Sequence, residues 1–384
     1  MRGFARGGDA ISGLLRLPEE AATAGFGRLA SVRWSLLVTA LMLSIVGAAT
    51  VHSASAAMPH EYLYRQLAWV GAGLVVFLVT FSLDYQRVAL FALPFYLVCM
   101  VMLVLVMFVG QVRGGARSWF GVGSFGLQPS EVAKIATAIL LAQYLAGREG
   151  EYLTLKEILI AVGIVLLPMA LIVGEPDLGG ALMFMPMLAA MLLVAGIRKR
   201  YLLIAASTVV VVAALGWGFM HSYQRDRVLT FLNPERDPLG AGYQVRQSKI
   251  AVGSGELTGR GYMHGTQSQG RFLPARHTDF IFAVLAEEWG FLGVAFVLFL
   301  YGSFLFGCAE VAARSRDRLG MLLSVGFLAT FAFHILYNTA MVVGMVPITG
   351  IPLPFLSYGG SFTLFAFAAT GLVLGVDFRR YVNR

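Results

Sequence analysis

The chain has little charge and almost no cysteine. Only 13% of its 384 residues are Asp, Glu, Lys or Arg, about half the share found in soluble domains, which excludes an ordinary water-soluble globule. The two cysteines, Cys99 and Cys308, lie far apart in or beside apolar segments without CxxC spacing, so neither a disulfide nor a zinc site is expected. The first 30 residues lack a compact apolar core followed by a small-residue cleavage site; no cleavable signal peptide is expected, and the first apolar segment reads as an uncleaved anchor. Period-two alternation is missing as well. A run such as LFALPFYLVCMVMLVLVMFVG does not alternate as the strands of a membrane β-barrel must.

What remains is hydrophobic residues, 58% of the chain. Apolar runs near the roughly 20 residues that cross a bilayer fall at about 34–54, 63–83, 88–110, 130–147, 157–174, 178–196, 201–219, 280–307, 319–346 and 357–376. The expectation is an all-α integral membrane protein of about ten transmembrane helices. An N-terminal arm, 1–33, precedes one membrane domain, 34–384, with a large extracytoplasmic loop at about 220–278 between helices seven and eight. The net charge of +8 follows from topology: Arg198, Lys199, Arg200, Arg314, Arg316, Arg318, Arg379 and Arg380 gather on the side of the Arg-containing arm, which the positive-inside rule assigns to the cytoplasm. Both termini are therefore expected in the cytoplasm, nucleic acid is not an expected partner, and the arm reads as a solvated tail near anionic lipid.

Polar residues are few enough that each stretch carries information. In QVRGGARSWFGVGSFGLQPSEVAKIA, at 111–136, glycines allow close turns and Trp119 and Phe120 suit an interface. Ser130 could cap the following helix, Glu131 favours its first turn, and Lys134 shares Glu131's face three residues on. An intrahelical ion pair explains these two charges blandly; the expense of ionisable groups in a membrane helix makes them functional candidates. At GEPDLGG, 174–180, Pro176 ends one helix and Asp177 could cap the next, whereas capping does not explain Glu175.

The long loop carries eight basic residues, including Arg227, Arg271 and Arg276, against Asp226, Glu235, Asp237 and Glu256, a balance of 8 − 4 = +4 on the side where basic residues are disfavoured. A cationic, Gly-rich loop at a membrane suits an anionic lipid headgroup such as a diphosphate. Its Gly and Pro content with short apolar bursts suggests short amphipathic helices. It closes on PARHTDFIFAVLAEE. There Thr278 or Asp279 either caps helix eight or, beside Arg276 and His277, presents a shielded carboxylate able to act as general base. Glu287, about two turns on and some 80° around the helix, is the acid placed to share its cavity, with Glu288 on the other face. MVPITGIPLPFLSYGGS, at 345–361, is an interrupted backbone that either turns structurally or lines a cavity.

FGLQPSEVAKIA, EPDLGGAL, the stretch from YQRDRVLTF through RHTDFIFAVLAEEWGFLG, and GIPLPFLSYGGS together resemble the shape, elongation, division and sporulation (SEDS) family of bacterial ten-helix membrane proteins, its RodA branch more than its FtsW branch. The resemblance begins near helix four and leaves out the arm. It implies a peptidoglycan glycosyltransferase of the cytoplasmic (inner) membrane that polymerises lipid II at the extracytoplasmic face for cell elongation and rod shape. It implies as partners a class B penicillin-binding protein, other elongation-complex proteins, lipid II and the nascent glycan strand. By motif, Asp279 takes the place of the family's essential aspartate, and Glu131 and Lys134 fall on its functional pair.

Arg117, Arg276, His277, Glu175, Asp177, Gln267 and Ser357 complete the candidate substrate-binding set. Lys134, Arg276, Arg117 or a divalent cation, Mg or Mn, are candidates to meet the leaving diphosphate; no cofactor is otherwise expected. A lipid II flippase would share the ten helices, broken segments and intramembrane charges, but the polar positions cluster on one side and paired broken helices are absent from the two halves. A scaffold for the partner would leave Asp279 unexplained, and assignment to the division branch stays open.

Overall fold

The computed structural model describes residues 32–56, 61–113, 116–122, 125–201, 203–204, 222–238 and 240–380. Almost all of the arm at 1–33 and of the predicted seventh helix at 201–219 lies outside the described residues.

Long helices dominate because uninterrupted apolar sequence in a bilayer must satisfy its backbone hydrogen bonds internally. They are α1 (Ser35–Ala54), α2 (Glu61–Ser82), short α3 (Tyr85–Leu90), α4 (Ala92–Val109), α5 (Pro129–Ala146), α6 (Leu155–Gly174), short α7 (Leu178–Leu182) and α8 (Phe184–Ala195). The loop contributes α9 (Ser222–Leu232), a 3₁₀ turn at Pro234–Arg236, α10 (Ala241–Ser254) and α11 (Thr266–Gln269), and the chain ends with α12 (Ile281–Arg314), α13 (Arg318–Val342) and α14 (Gly360–Arg379). Among the described residues, eight spans are long and apolar enough to cross a membrane: α1, α2, α4, α6, α7 with α8, α12, α13 and α14. The predicted fourth span is the 18-residue α5. It falls outside the eight because Glu131, Lys134 and Gln143 dilute its apolar content.

α14 is the most deeply buried of the eight. It packs along α2 at close range, since a Cβ at Gly73 would meet the Phe367 ring at 2.4 Å and one at Gly371 would meet Thr80 Oγ1 at 2.1 Å; small residues let membrane helices approach where dispersion must hold them. An aromatic core of Phe304, Phe331, Phe355, Phe365 and Phe367 joins α12, α13 and α14 to the C-terminal turn through largely edge-on ring contacts.

Three features differ from expectation. The stretch after α4 is a three-stranded antiparallel sheet, β1 (Gln111–Arg113), β2 (Ala116–Val122) and β3 (Phe125–Leu127), in order β1-β2-β3 with Phe120 opposite Leu127. Its β-branched and aromatic residues between glycine pairs favour a hairpin ribbon. Ser130 is not the cap of α5: Gln128 holds that position without a side-chain bond, and Pro129 opens the helix, where a missing N–H costs nothing. Glu287 does not share a cavity with Asp279. It is fully buried and accepts from Thr266 Oγ1 at 3.1 Å, Gln267 N at 2.7 Å and Ser268 N at 3.0 Å, capping α11 where free N–H groups attract an anion. Glu288 accepts from Ser53 Oγ and so ties α12 to α1.

Candidate active site

Four stretches distant in sequence converge at one end of the bundle. The first is the start of α5, where Glu131 and Lys134 project inward from successive turns, Lys134 Nζ lying 2.8 Å from Glu131 Oε2. Both are buried, with side-chain exposures of 9% and 1%, a burial that charges tolerate only when paired. Lys134 Nζ also sits 4.5 Å from the Phe365 ring centroid and 5.4 Å from that of Phe362, so aromatic faces supply part of its solvation.

The second is the α6–α7 turn. Asp177 accepts from Gly180 N at 2.8 Å with one oxygen and from Gln128 Nε2 at 2.9 Å with the other, so it caps α7 and tethers the entrance of α5. Glu175 is buried, and neither of its oxygens accepts a hydrogen bond. Burial first, then the charge of Asp177, pushes its carboxyl up to about 8.

The third is the segment closing the long loop. Asp279 caps nothing: the residue preceding α12 is Phe280, and no side chain bonds the helix end. Its backbone carbonyl accepts from Asn338 Nδ2 at 2.9 Å, and the same nitrogen donates to Ile351 O at 2.7 Å. Burial raises the Asp279 carboxyl from 3.8 to about 6, against the opposing pull of Arg227 and the Thr278 hydroxyl. A carboxyl held there is poised for proton transfer near neutral pH.

The fourth is the Pro-rich turn after α13. Gly350 adopts φ +72°, and a Cβ on it would lie 3.6 Å from Asp279 Oδ2, so the turn brings backbone close to the carboxylate. Ser357 Oγ donates to Thr278 O at 2.7 Å and accepts from Leu353 N at 2.8 Å, fixing the turn against the residue before Asp279.

Between the four stretches lies a cavity of about 300 Å³ lined by Trp69, Trp119, Gln128, Glu131, Lys134, Asp177, Thr278, Asp279, His334 and Tyr358 among others. Glu131, Lys134, Asp177 and Asp279 are thus brought together. The other candidates stand off the lining. Arg276 is buried, and its guanidinium donates to Ala54 O at 2.5 Å and Ser268 O at 2.6 Å, stapling the loop to α1. Burial, with Arg271 adding to it, lowers its pKa. His277 packs against Tyr62 and Tyr358 at centroid distances of 5.0 and 5.8 Å; burial and then Arg276 lower its pKa. Arg117 donates to Phe108 O at 3.2 Å on the exterior. Gln267 belongs to the N-terminus that Glu287 caps, and Ser357 is occupied by the turn.

Sequence reasoning passed over His334 and Asn338, two α13 residues four apart and both buried. Their signal was available: two polar side chains on one face of an apolar segment. Among the described residues no three His, Cys, Asp or Glu side chains group as metal ligands.

The FtsW/RodA/SpoVE family model, described as cell cycle protein, matches residues 28–381. The chain belongs to that family, the SEDS proteins. It is 37% identical over 347 residues to the peptidoglycan glycosyltransferase MrdB of Escherichia coli K12, covering 90% of this chain and 93% of that one. It is 35% identical over 422 residues to the peptidoglycan glycosyltransferase RodA of Treponema pallidum, covering 90% and 97%. Among solved structures, a chain of a peptidoglycan synthase complex coordinating polymerization and crosslinking superposes with a TM-score of 0.80 at 32% identity, covering 91% of this chain and 99% of that one. The Thermus thermophilus rod shape determining protein RodA superposes at 0.70 with 29% identity, covering 91% and 98%.

Proposed function

We propose that this SEDS protein is a peptidoglycan glycosyltransferase that polymerises lipid II into β-1,4 glycan strands, with inversion at the anomeric carbon, for cell elongation and rod shape. The observation that carries this reading is the shared cavity of Asp279 and the Glu131–Lys134 pair, in a chain so similar over most of its length to named peptidoglycan glycosyltransferases.

The donor link in lipid II is α and the product bond is β, so one direct displacement suffices. Asp279 removes the proton from the acceptor GlcNAc 4-hydroxyl as that oxygen attacks the donor MurNAc C1, and polyprenyl diphosphate leaves. Lys134 is the cavity cation placed to meet the growing negative charge, while Glu131 keeps its ammonium in position. Arg276 and Arg117, bonded to backbone carbonyls away from the cavity, act structurally.

The cavity opens on the extracytoplasmic face of the inner membrane, both termini lie in the cytoplasm, and the polyprenyl tails stay in the bilayer. The opposite helix ends carry Arg148, Arg314, Arg316, Arg318 and Arg379, as cytoplasmic ends do. The neighbouring synthase complex supports a class B penicillin-binding protein as working partner, within a larger elongation complex.

In-gel detection of glycan chains made from lipid II by the purified protein with its transpeptidase partner tests the reading. The native pair yields polymer, and a folded Asp279→Ala protein yields none. Absence of polymer from the native pair, with labelled lipid II crossing vesicle bilayers, would replace the transferase by a flippase.

A further inference from the structure

α13 carries a group that the mechanism above does not use. His334 is 1% exposed, yet it lines the cavity with Asp279 and Lys134. Its Nδ1 lies 3.1 Å from Pro352 O. A carbonyl only accepts, so Nδ1 carries the hydrogen and a neutral imidazole then presents a bare lone pair at Nε2. Among the described residues that Nε2 has no hydrogen-bond partner, and a buried acceptor left unpaired costs free energy that binding can recover. The ring is held on two sides, by the Pro352 carbonyl and by Phe362, whose centroid lies 4.6 Å from its own. Lys134 Nζ lies 5.4 Å from the same Phe362 centroid, so both residues lie against one ring, one supplying a cation and the other an acceptor.

We propose that His334 Nε2 is a substrate contact, accepting a hydrogen bond from a hydroxyl or amide N–H of the saccharide beside the diphosphate that Lys134 meets. The inference rests on the glycosyltransferase reading. Lys134 reads the charge of the substrate, and His334 reads a neutral donor on the sugar next to it. His334 transfers no proton in this role; it sets affinity and orientation.

Polymerisation kinetics on lipid II, with the transpeptidase partner present, separate the possibilities. His334→Leu should raise KM about tenfold, the worth of one lost hydrogen bond, and lower kcat by less than about threefold, whereas His334→Gln, which keeps both a donor for Pro352 O and an acceptor for the cavity, should recover most of the affinity. Lipid II binding measured without turnover in an Asp279→Asn background should weaken by the same factor when His334→Leu is added. If the leucine protein does not fold, His334→Met refills the space without a ring nitrogen and serves in its place. A leucine or methionine protein with native KM overturns the proposal, and so does loss confined to kcat, which would make His334 a proton-transfer group. Failure of the native protein to polymerise lipid II would instead overturn the underlying reading.

Discussion

Asn338 and Asp279, 59 residues apart, are joined through a single nitrogen: Asn338 Nδ2 donates at 2.9 Å to the backbone carbonyl of Asp279 while also bonding Ile351 O at 2.7 Å. The bond fixes the Asp279 main chain rather than its carboxylate, so the side chain stays available to the cavity. It also locks the Asp279 segment to the turn that carries Gly350. Asn338→Leu should therefore misplace the base. Displacements of about 1 Å cost on the order of 100-fold in rate, so kcat should fall by about that factor, with KM for lipid II changing much less. Steady-state polymerisation by the folded variant measures this, and a native kcat would remove Asn338 from any positioning role.

The raised pKa of Asp279 predicts the acid limb of the pH profile. A general base works ionised, so with its carboxyl near 6 the rate should fall about tenfold per pH unit below 6 and level off above it. Arg227 opposes the rise, and Arg227→Gln should move the limb to higher pH. The stability consequence has the opposite sense to that of a salt-bridged acid. Because the folded pKa lies above the ordinary value, stability is lost as pH rises through about 4 to 6, and Asp279→Asn should melt higher than the native protein at pH 7 but not at pH 4. Rates from pH 5 to 8 and melting curves at the two pH values check both statements.

The fold was largely legible because membrane helices announce themselves by length and apolarity, and α12, Ile281–Arg314, and α13, Arg318–Val342, needed no further information. α5 was legible too, although its polar residues lower its hydropathy. The β1-β2-β3 ribbon was not read, since pairing across short strands is decided by register rather than composition. At the site, the charges within motifs were legible, and Asp279, Glu131 and Lys134 line one cavity. Partner choice among carbonyls and carboxylates was not. Arg276 reads in sequence as a phosphate ligand, yet in three dimensions its guanidinium is taken up by Ala54 O and Ser268 O. Glu287 likewise reads as a cavity acid by helical angle, but α11 presents three donors to it first.

Glu131 and Lys134 should be strongly coupled. Removing one partner of a buried pair leaves an uncompensated charge and costs about 3–5 kcal/mol, whereas removing both is far cheaper. Lys134→Met should thus lower thermal stability sharply, and Glu131→Gln/Lys134→Met should melt above the Lys134→Met protein while remaining inactive. A double-mutant cycle on melting temperature in detergent gives the coupling. Additive single effects would mean that the pair is not a unit.

The docking of the long loop on α12 depends on two glycines. Gly259 has φ +81°, and a Cβ on it would stand 2.1 Å from Glu288 O; Gly290 has φ +63°, and its Cβ would stand 2.2 Å from Gly259 N. The two backbones meet face to face, with Gly261 N donating to Glu288 O at 3.0 Å and Arg260 N to Glu287 O at 3.0 Å. Neither position tolerates a side chain by rotamer adjustment, because the obstruction is backbone and the φ value is already unfavourable. Gly259→Ala and Gly290→Ala should each cost at least about 1–3 kcal/mol and loosen the segment that leads to Asp279. Activity should fall with stability, and protease cleavage within 255–270 should rise. Gly302→Ala, in the same helix with nothing within 4 Å of its Cβ position, is the matched control and should be neutral or slightly stabilising. Equal melting temperatures for all three alanine proteins would show that the loop is not held through this contact.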